Sequence, residues 1–553
     1  MTRFRPALAA IALVGVYLVI AWLGDTRAWS GADAGGKAAT AVHMVAVDSW
    51  TPDVGYWAEE WDPTGLHHPL YNTLRVGDRW VQATSVPFAL ASRAGLGRLG
   101  VGGLLVLPML GSVVAALAAS SLARTLGATS GAAAFWVVGL GTPVGFYAID
   151  AWEHAPALGL AMLAVAMATA IDVRPTTSSQ RSELAGVAAA AVAAGAAVVF
   201  RAEMAVYLGA FSAALLVIGR YRRAWLRPRR LATAAAGLAA PIVANELLER
   251  AVLGVSVRSD RAASLTTGAG SAFSGRARDA VLTSVGVFAD TTAASFGLGA
   301  LGAAALIVLG YWAIHGRPPL LVLSRGVLAC GALVAVTMAT AGLGFVPGWL
   351  PAAPLAAAGL WAVDRRGDES RVVLVVVAAV LALPGVWMTS HVGLLSAQWG
   401  GRYVLLTGVL LSVAGVVALE RVGWRRPASL ALLAVTAAMS VFGAAWHIER
   451  TREVGEFSAE VIRATPADAV VVSRWGQLGR EAGAFYDDRR WLTAITDDDA
   501  RDALQIARRA GARQVVMIEL PESTLVVPAG WEERSAEAHR VLGAEVVLRH
   551  LTR

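Results

Sequence analysis

The chain has 553 residues, of which 56% are hydrophobic and only 16% charged, against roughly 25% charged in an ordinary soluble domain. Net charge is +7, the isoelectric point is about 9.9 and mean hydropathy is +0.57. Apolar runs long enough to cross a bilayer as helices recur as far as residue 447. That excludes an ordinary cytosolic enzyme, a disordered chain and a disulfide scaffold, and the single cysteine, Cys330, excludes an internal disulfide or a cysteine-based zinc site.

Arg3 and Arg5 precede the first apolar run. Ala32-Asp33-Ala34 also fits a signal-peptide cleavage pattern, but the run exceeds the usual apolar stretch of a signal peptide and many more follow, so it reads as a retained helix. Thirteen spans are expected, near 7–23, 100–121, 130–149, 154–171, 185–200, 204–219, 231–248, 294–314, 319–342, 349–363, 372–392, 404–420 and 429–447. With the N-terminus in the cytoplasm, Arg124, Arg174, Arg181, the six arginines of 220–230, Arg317, Arg365, Arg366 and Arg421 to Arg426 all fall on the inner side. This is the positive-inside pattern. The basic balance is therefore a topology signal, and no nucleic-acid partner is expected. Arg250, Arg258, Arg261, Arg276 and Arg278 fall on the opposite side, where they either mark a miscounted span or meet an anion. Residues 279–293 read as an interfacial helix.

Residues 448–553 change character. Three β-rich runs (469–473, 514–519, 545–549) alternate with helical patterns near 453–464, 497–510 and 532–542, which argues a small α/β domain. No glycine-rich phosphate loop opens a helix there. The expected fold class is an α-helical polytopic membrane protein, 1–447, carrying a C-terminal extracytoplasmic α/β domain, 448–553. The localisation expected is the cell membrane.

Polar groups near span ends gather outside in four places. Polar side chains are costly in hydrocarbon, so each needs an account. The first is the long loop 24–99, where residues 24–79 hold eight acids against four bases. Asp33 opens a helical-looking stretch, 33–47, as a candidate general base, metal ligand or N-cap. Glu59, Glu60 and the pair His67-His68 follow. Neighbouring residues point apart, so the two histidines make a poor metal pair. The second is the short turn Asp150-Ala-Trp152-Glu153-His154, where Trp152 fits an interface anchor. The third is Arg201-Ala-Glu203. Its i, i+2 spacing on a helix predicts separate partners, and the guanidinium suits a phosphate. The fourth is Gln398-Trp-Gly400-Gly401-Arg402-Tyr403, whose glycines permit close backbone approach and whose arginine can cradle an anion. The only lysine, Lys37 among 46 arginines, reads as codon bias.

This layout resembles the GT-C superfamily of integral-membrane glycosyltransferases, and the actinobacterial members in ending with an extracytoplasmic domain. The resemblance implies an acid just after the first helix as catalytic base, matched by Asp33. It implies a second acid in the short second outer loop, matched by Glu153 or Asp150, and an Arg-x-Glu after the fifth span, matched by Arg201 and Glu203. A Gly-Arg-Tyr before a late span is matched by Gly401-Arg402-Tyr403, with the arginine near the donor phosphate. Many members carry two adjacent acids in the first loop, where this chain has Asp33-Ala34. The one cofactor the resemblance allows is a divalent cation, magnesium or manganese. The implied partners are a polyprenyl-phosphate-linked sugar donor, a cell-envelope acceptor and membrane lipids. The implied reaction is an inverting transfer. Arg201, Arg402, Arg258 and Arg261 are the candidates to hold the phosphate, and Glu59, Glu60, Glu153 and His154 those to orient the acceptor. A transporter or lipid flippase competes with this reading and predicts ionisable residues along the middle of spans. A non-catalytic assembly protein predicts that residues 448–553 bind a partner.

Overall fold

The computed structural model describes residues 5–29, 31–70, 73–82, 84–171, 180–218, 225–257, 273–288, 293–317, 321–363, 370–389, 399–476, 478–521 and 525–553. Arg174, Arg220, Arg222, Arg223, Arg258, Arg261, Asp290, Arg365, Arg366 and Gln398 lie outside the described residues.

Ten helices among the described residues are long and apolar enough to cross a membrane. The first, α1 (Pro6–Leu23), starts on a proline at its first position, where the missing N–H costs nothing. It exposes Leu8, Ile11, Leu18 and Trp22, as a lipid-facing helix does, and buries Leu13 and Tyr17. Next come α2 (Ala32–Ala46), an antiparallel hairpin of β1 (Thr73–Val76) and β2 (Arg79–Gln82), and α3 (Val86–Leu99). The bundle continues with α4 (Val106–Thr125), α5 (Ala132–Leu140), α6 (Val144–Ala148), α7 (His154–Ile171), α8 (Gln180–Phe200), α9 (Met204–Val217), α10 (Pro228–Leu253) and α11 (Phe273–Val285). After strand β3 (Val287–Phe288) come α12 (Ala293–His315), α13 (Leu321–Ala341), strand β4 (Phe345–Val346), α14 (Trp349–Ala352), α15 (Ala356–Leu360), α16 (Ser370–Thr389) and α17 (Leu405–Val422).

Three expected spans are not single long helices. The run 130–149 breaks between α5 and α6 at Gly141-Thr142-Pro143, and 349–363 breaks between α14 and α15 at Ala353-Pro354. Proline removes a helical donor and drives the residue before it out of the helical region. The run 204–219 is the short apolar helix α9. The expected interfacial helix 279–293 ends at Val285, because Gly286 takes a positive φ and the chain turns into the β3–β4 pair. At the centre of the bundle α17 is buried along nearly its whole length. Small residues let helices approach closely: a Cβ on Gly111 of α4 would meet Pro156 of α7 at 2.5 Å, and one on Gly159 would meet the Gly111 carbonyl at 2.3 Å.

The last span does not stop at residue 447. It continues as α18 (Pro427–Ala464), a single 38-residue helix that leads into the sheet domain. There β5 (Val470–Ser473) is followed by α19 (Leu478–Glu481), β6 (Arg490–Thr493), α20 (Asp497–Arg509), β7 (Gln514–Glu519), β8 (Glu532–Val541) and β9 (Ala544–Thr552). The strand order is β6-β5-β7-β9-β8, parallel around β5 and antiparallel through β7, β9 and β8. The helix α20 starts where the sequence places it, on a capping box between Thr496 and Asp499. The helix expected at 532–542 is instead the edge strand β8. Most of its side chains are exposed and half are charged, so it carries no apolar alternation to reveal a strand, and its charges suit an unpaired edge.

Candidate active site

Asp33 lies in the first turn of α2. The residue preceding the helix is Gly31, which makes no side-chain cap, so Asp33 does not serve as the N-cap. Its carboxylate is held at both oxygens: Arg402 Nη1 donates to Oδ2 at 2.6 Å, and Arg480 Nη1 donates to Oδ1 at 3.1 Å. One turn along the same helix face, Lys37 donates to the Asp33 carbonyl at 3.3 Å and forms an ion pair with Glu153 at 3.2 Å. Lys37 and Glu153 are both almost fully buried. Glu153 also accepts from the Thr84 hydroxyl at 3.0 Å and the Ser85 N–H at 3.1 Å, tying the turn before α7 to the loop before α3.

Arg402 reaches Asp33 because of the backbone before it. Gly400 and Gly401 have φ of +72° and +60°, the left-handed region. A Cβ on Gly400 would meet Pro143 at 2.2 Å, and one on Gly401 would meet the Thr283 carbonyl oxygen at 2.6 Å. The Arg402 guanidinium lies over the rings of Tyr403 and Trp152, 4.7 and 5.4 Å from their centroids. The Lys37 ammonium is 5.8 Å from the Trp152 ring and the Arg201 guanidinium 5.4 Å from the Tyr403 ring. Aromatic faces thus separate three cations that would otherwise repel. Trp152 is buried rather than a membrane-interface anchor.

Arg201 and Glu203 do not take separate partners. Arg201 Nε donates to Glu203 Oε1 at 2.8 Å, because the residues form a turn between α8 and α9 rather than a helix. Nδ1 of His154 lies 3.7 Å from the same oxygen. Both ring nitrogens of this buried histidine lack a hydrogen-bond partner among the described residues. Asp150 is fully buried beside it.

Burial alone would raise the Asp33 carboxyl. The charges of Arg402, Lys37 and Arg480 outweigh it and hold Asp33 well below the usual carboxylate range. Burial pushes Lys37 down despite its two acidic neighbours. For Arg201, burial works against the charge, but Glu203, Tyr403 and Glu153 together outweigh it and keep the guanidinium protonated.

The structure brings Asp33, Glu153, His154, Arg201, Glu203, Arg402 and Tyr403 into one cluster. Glu59 is used elsewhere: it pairs with Arg75 at 2.6 Å and accepts from the Trp80 indole at 3.1 Å. Glu60 is exposed beside it. Glu59 belongs to the packing of the first loop. His67 and His68 take different backbone partners, the Thr493 and Gly55 carbonyls, as their alternation requires. His68 is packed between Tyr56 and Trp80, and burial pushes it down to about 4.

Two members of the cluster carried no assigned role in the sequence. Lys37 had a signal, being the one position in the chain where lysine was kept. Arg480 had none, because it lies 447 residues from its partner. A divalent cation does not fit at Asp33. Both carboxylate oxygens already face guanidinium groups with an ammonium close by, so a metal there would meet three positive charges. Among the described residues no group of three or more His, Cys, Asp or Glu is arranged to hold a metal.

The order of elements, a first-loop helix, a long helical domain and a small terminal sheet domain, is shared with solved membrane proteins. The structure of ArnT from Cupriavidus metallidurans bound to undecaprenyl phosphate is similar over 98% of this chain and 97% of that one, with a TM-score of 0.54 and 13% identity. The same protein in the apo state superposes with a TM-score of 0.47 at 12% identity, over 98% and 97% of the two chains. The Archaeoglobus fulgidus oligosaccharyltransferase in complex with Zn and sulfate gives 0.48 at 12% identity, over 91% of this chain and 67% of that one. At such identities the likeness is one of fold. No family model and no curated protein sequence matches the chain.

Proposed function

We propose that the protein is a membrane glycosyltransferase that transfers a sugar from a polyprenyl-phosphate-linked donor to a cell-envelope acceptor on the outer face of the membrane. The observation that carries this reading is the direct contact of a carboxylate, Asp33, with the guanidinium of Arg402 at one end of the helical domain. Transfer from a phosphate-linked sugar needs a base for the acceptor hydroxyl and cations for the departing phosphate, close together. Asp33 and the cations Lys37, Arg201 and Arg402 supply both. The fold shared with ArnT, solved with undecaprenyl phosphate bound, is consistent with a polyprenyl phosphate as the carrier.

In this mechanism the acceptor oxygen attacks the anomeric carbon as the bond from that carbon to the phosphate oxygen breaks. The electron pair leaves with the phosphate, which Arg402 and Arg201 stabilise. Asp33 takes the acceptor proton. A single displacement with one base inverts the anomeric centre. His154, whose ring nitrogens have no hydrogen-bond partner among the described residues, is placed to hydrogen bond a sugar hydroxyl. The sheet domain and first loop sit outside, with the N-terminus in the cytoplasm. The boundary of the extracytoplasmic part falls within α18, near residue 447.

Binding of polyprenyl phosphate to the protein in lipid nanodiscs tests the phosphate assignment. Arg402→Gln is expected to weaken binding by about 10- to 100-fold, the loss of one charge-assisted contact. Unchanged binding removes Arg402 from the phosphate site.

A further inference from the structure

The C-terminal sheet domain delivers a side chain to the centre of the membrane domain's polar cluster. Arg480 is on α19, between β5 and β6, and it is buried. Its guanidinium holds Asp33 Oδ1 while Arg402 holds Oδ2. The approach is fixed by backbone. A Cβ on Gly35 of α2 would sit 1.6 Å from the Arg480 carbonyl oxygen, and one on Gly483 would sit 2.0 Å from the Gly35 carbonyl oxygen. The next residue, Glu481, locks the segment from two sides. Its carbonyl accepts the Trp29 N–H at 3.2 Å, and its carboxylate pairs with Arg450 of α18 at 2.8 Å.

We propose that Arg480 is a positioning residue for the base. It keeps Asp33 oriented and ionised through Oδ1 when the donor phosphate draws Arg402 away from Oδ2, so that Oδ2 becomes free to take the acceptor proton. The inference rests on the reading of Asp33 as the base. It assigns the two arginines different jobs: Arg402 is shared with the phosphate, whereas Arg480 stays with the carboxylate. It also makes the basicity of Asp33 depend on donor occupancy. With both guanidiniums in place the carboxylate is a weak base, and losing one raises its proton affinity.

Among the described residues, the charged groups that act on Asp33 are Lys37, Arg402 and Arg480, and their neighbours on the packed elements are paired among themselves. Lys37 is on its own helix and is paired with Glu153. From the segment before α17 comes Arg402, and from α19 comes Arg480, while Glu481 turns to Arg450. The helical turn after α19 presents Asp487 to His43 at the far end of α2. From α3, Arg93 pairs with Asp48 beyond that end. Arg79 of β2 donates to the Val252 carbonyl, and Arg201 is paired with Glu203.

The test is sugar transfer by the full chain in nanodiscs, with a polyprenyl-phosphoryl sugar as donor, as a function of pH. Wild type, Arg480→Gln, Arg480→Lys and Asp33→Asn are compared. Removing a cation beside a carboxylate raises its pKa, so Arg480→Gln should move the acid limb of kcat/KM upward by about one pH unit. Its kcat should fall by about 10-fold with the donor KM unchanged. Arg480→Lys, which keeps the charge, should return the limb toward wild type, and it carries the test if Arg480→Gln does not fold. An acid limb that stays in place in Arg480→Gln, or that Arg480→Lys moves as far as glutamine does, overturns the proposal. So does a raised donor KM at constant kcat, which would make Arg480 a phosphate ligand. If Asp33→Asn is itself fully active, the base reading has failed. If Asp33→Asn is inactive and the limb does not respond to Arg480, only the present inference has failed.

Discussion

At the scale of single residues, the cluster is explained by which charges are buried together. Lys37 is 4% exposed and its partner Glu153 2%. Breaking a buried pair by removing one partner leaves the other charge uncompensated, at a cost of about 3–5 kcal/mol. Lys37→Met should therefore lower the thermal unfolding temperature markedly. The double variant Lys37→Met/Glu153→Gln should recover part of that loss, and a double variant no more stable than the single one would show that the pair is not coupled. Sequence reading found the acids and arginines of this cluster from their place near span ends. It misjudged Arg201 and Glu203, because i, i+2 geometry was reasoned on a helix and the residues form a turn. Glu59 lies apart from this cluster for another reason. An acid-rich loop does not reveal which carboxylates are consumed by its own packing, and only the fold brings Arg75 and Trp80 to Glu59.

At the scale of elements, turns decide where the arginines point. The Gly400-Gly401 pair takes left-handed φ values that other residues adopt at a cost of about 1–2 kcal/mol, and at Gly400 an added methyl would also collide with Pro143. Gly400→Ala should lower both stability and affinity for polyprenyl phosphate, the latter because Arg402 is carried out of place. Wild-type affinity in that variant, measured in nanodiscs, would show that the turn does not position the arginine. Most spans were legible because twenty apolar residues have few other fates. The broken ones were not, since hydropathy is blind to backbone: Pro143 and Pro354 sit inside apolar runs and split them. The strand β8 was illegible for the opposite reason. It lies at a sheet edge with both faces largely in solvent, so no alternation marks it.

At the scale of the whole molecule, the sheet domain and the membrane domain share one site. Composition separates them at about residue 447, where the apolar pattern ends. The helix α18 runs through that point unbroken, and α19 returns to pack on α2. Contacts such as Asp33 with Arg480 join positions at opposite ends of the chain and leave no trace in local pattern. The proposed role of Asp33 as the base of a polyprenyl-phosphate-dependent glycosyltransferase is tested by sugar transfer from a polyprenyl-phosphoryl sugar by wild type and Asp33→Asn in nanodiscs. Asp33→Asn is expected to lose transfer by at least about 100-fold while it remains folded and still binds polyprenyl phosphate; transfer at the wild-type rate by folded Asp33→Asn protein would show that Asp33 is not the base.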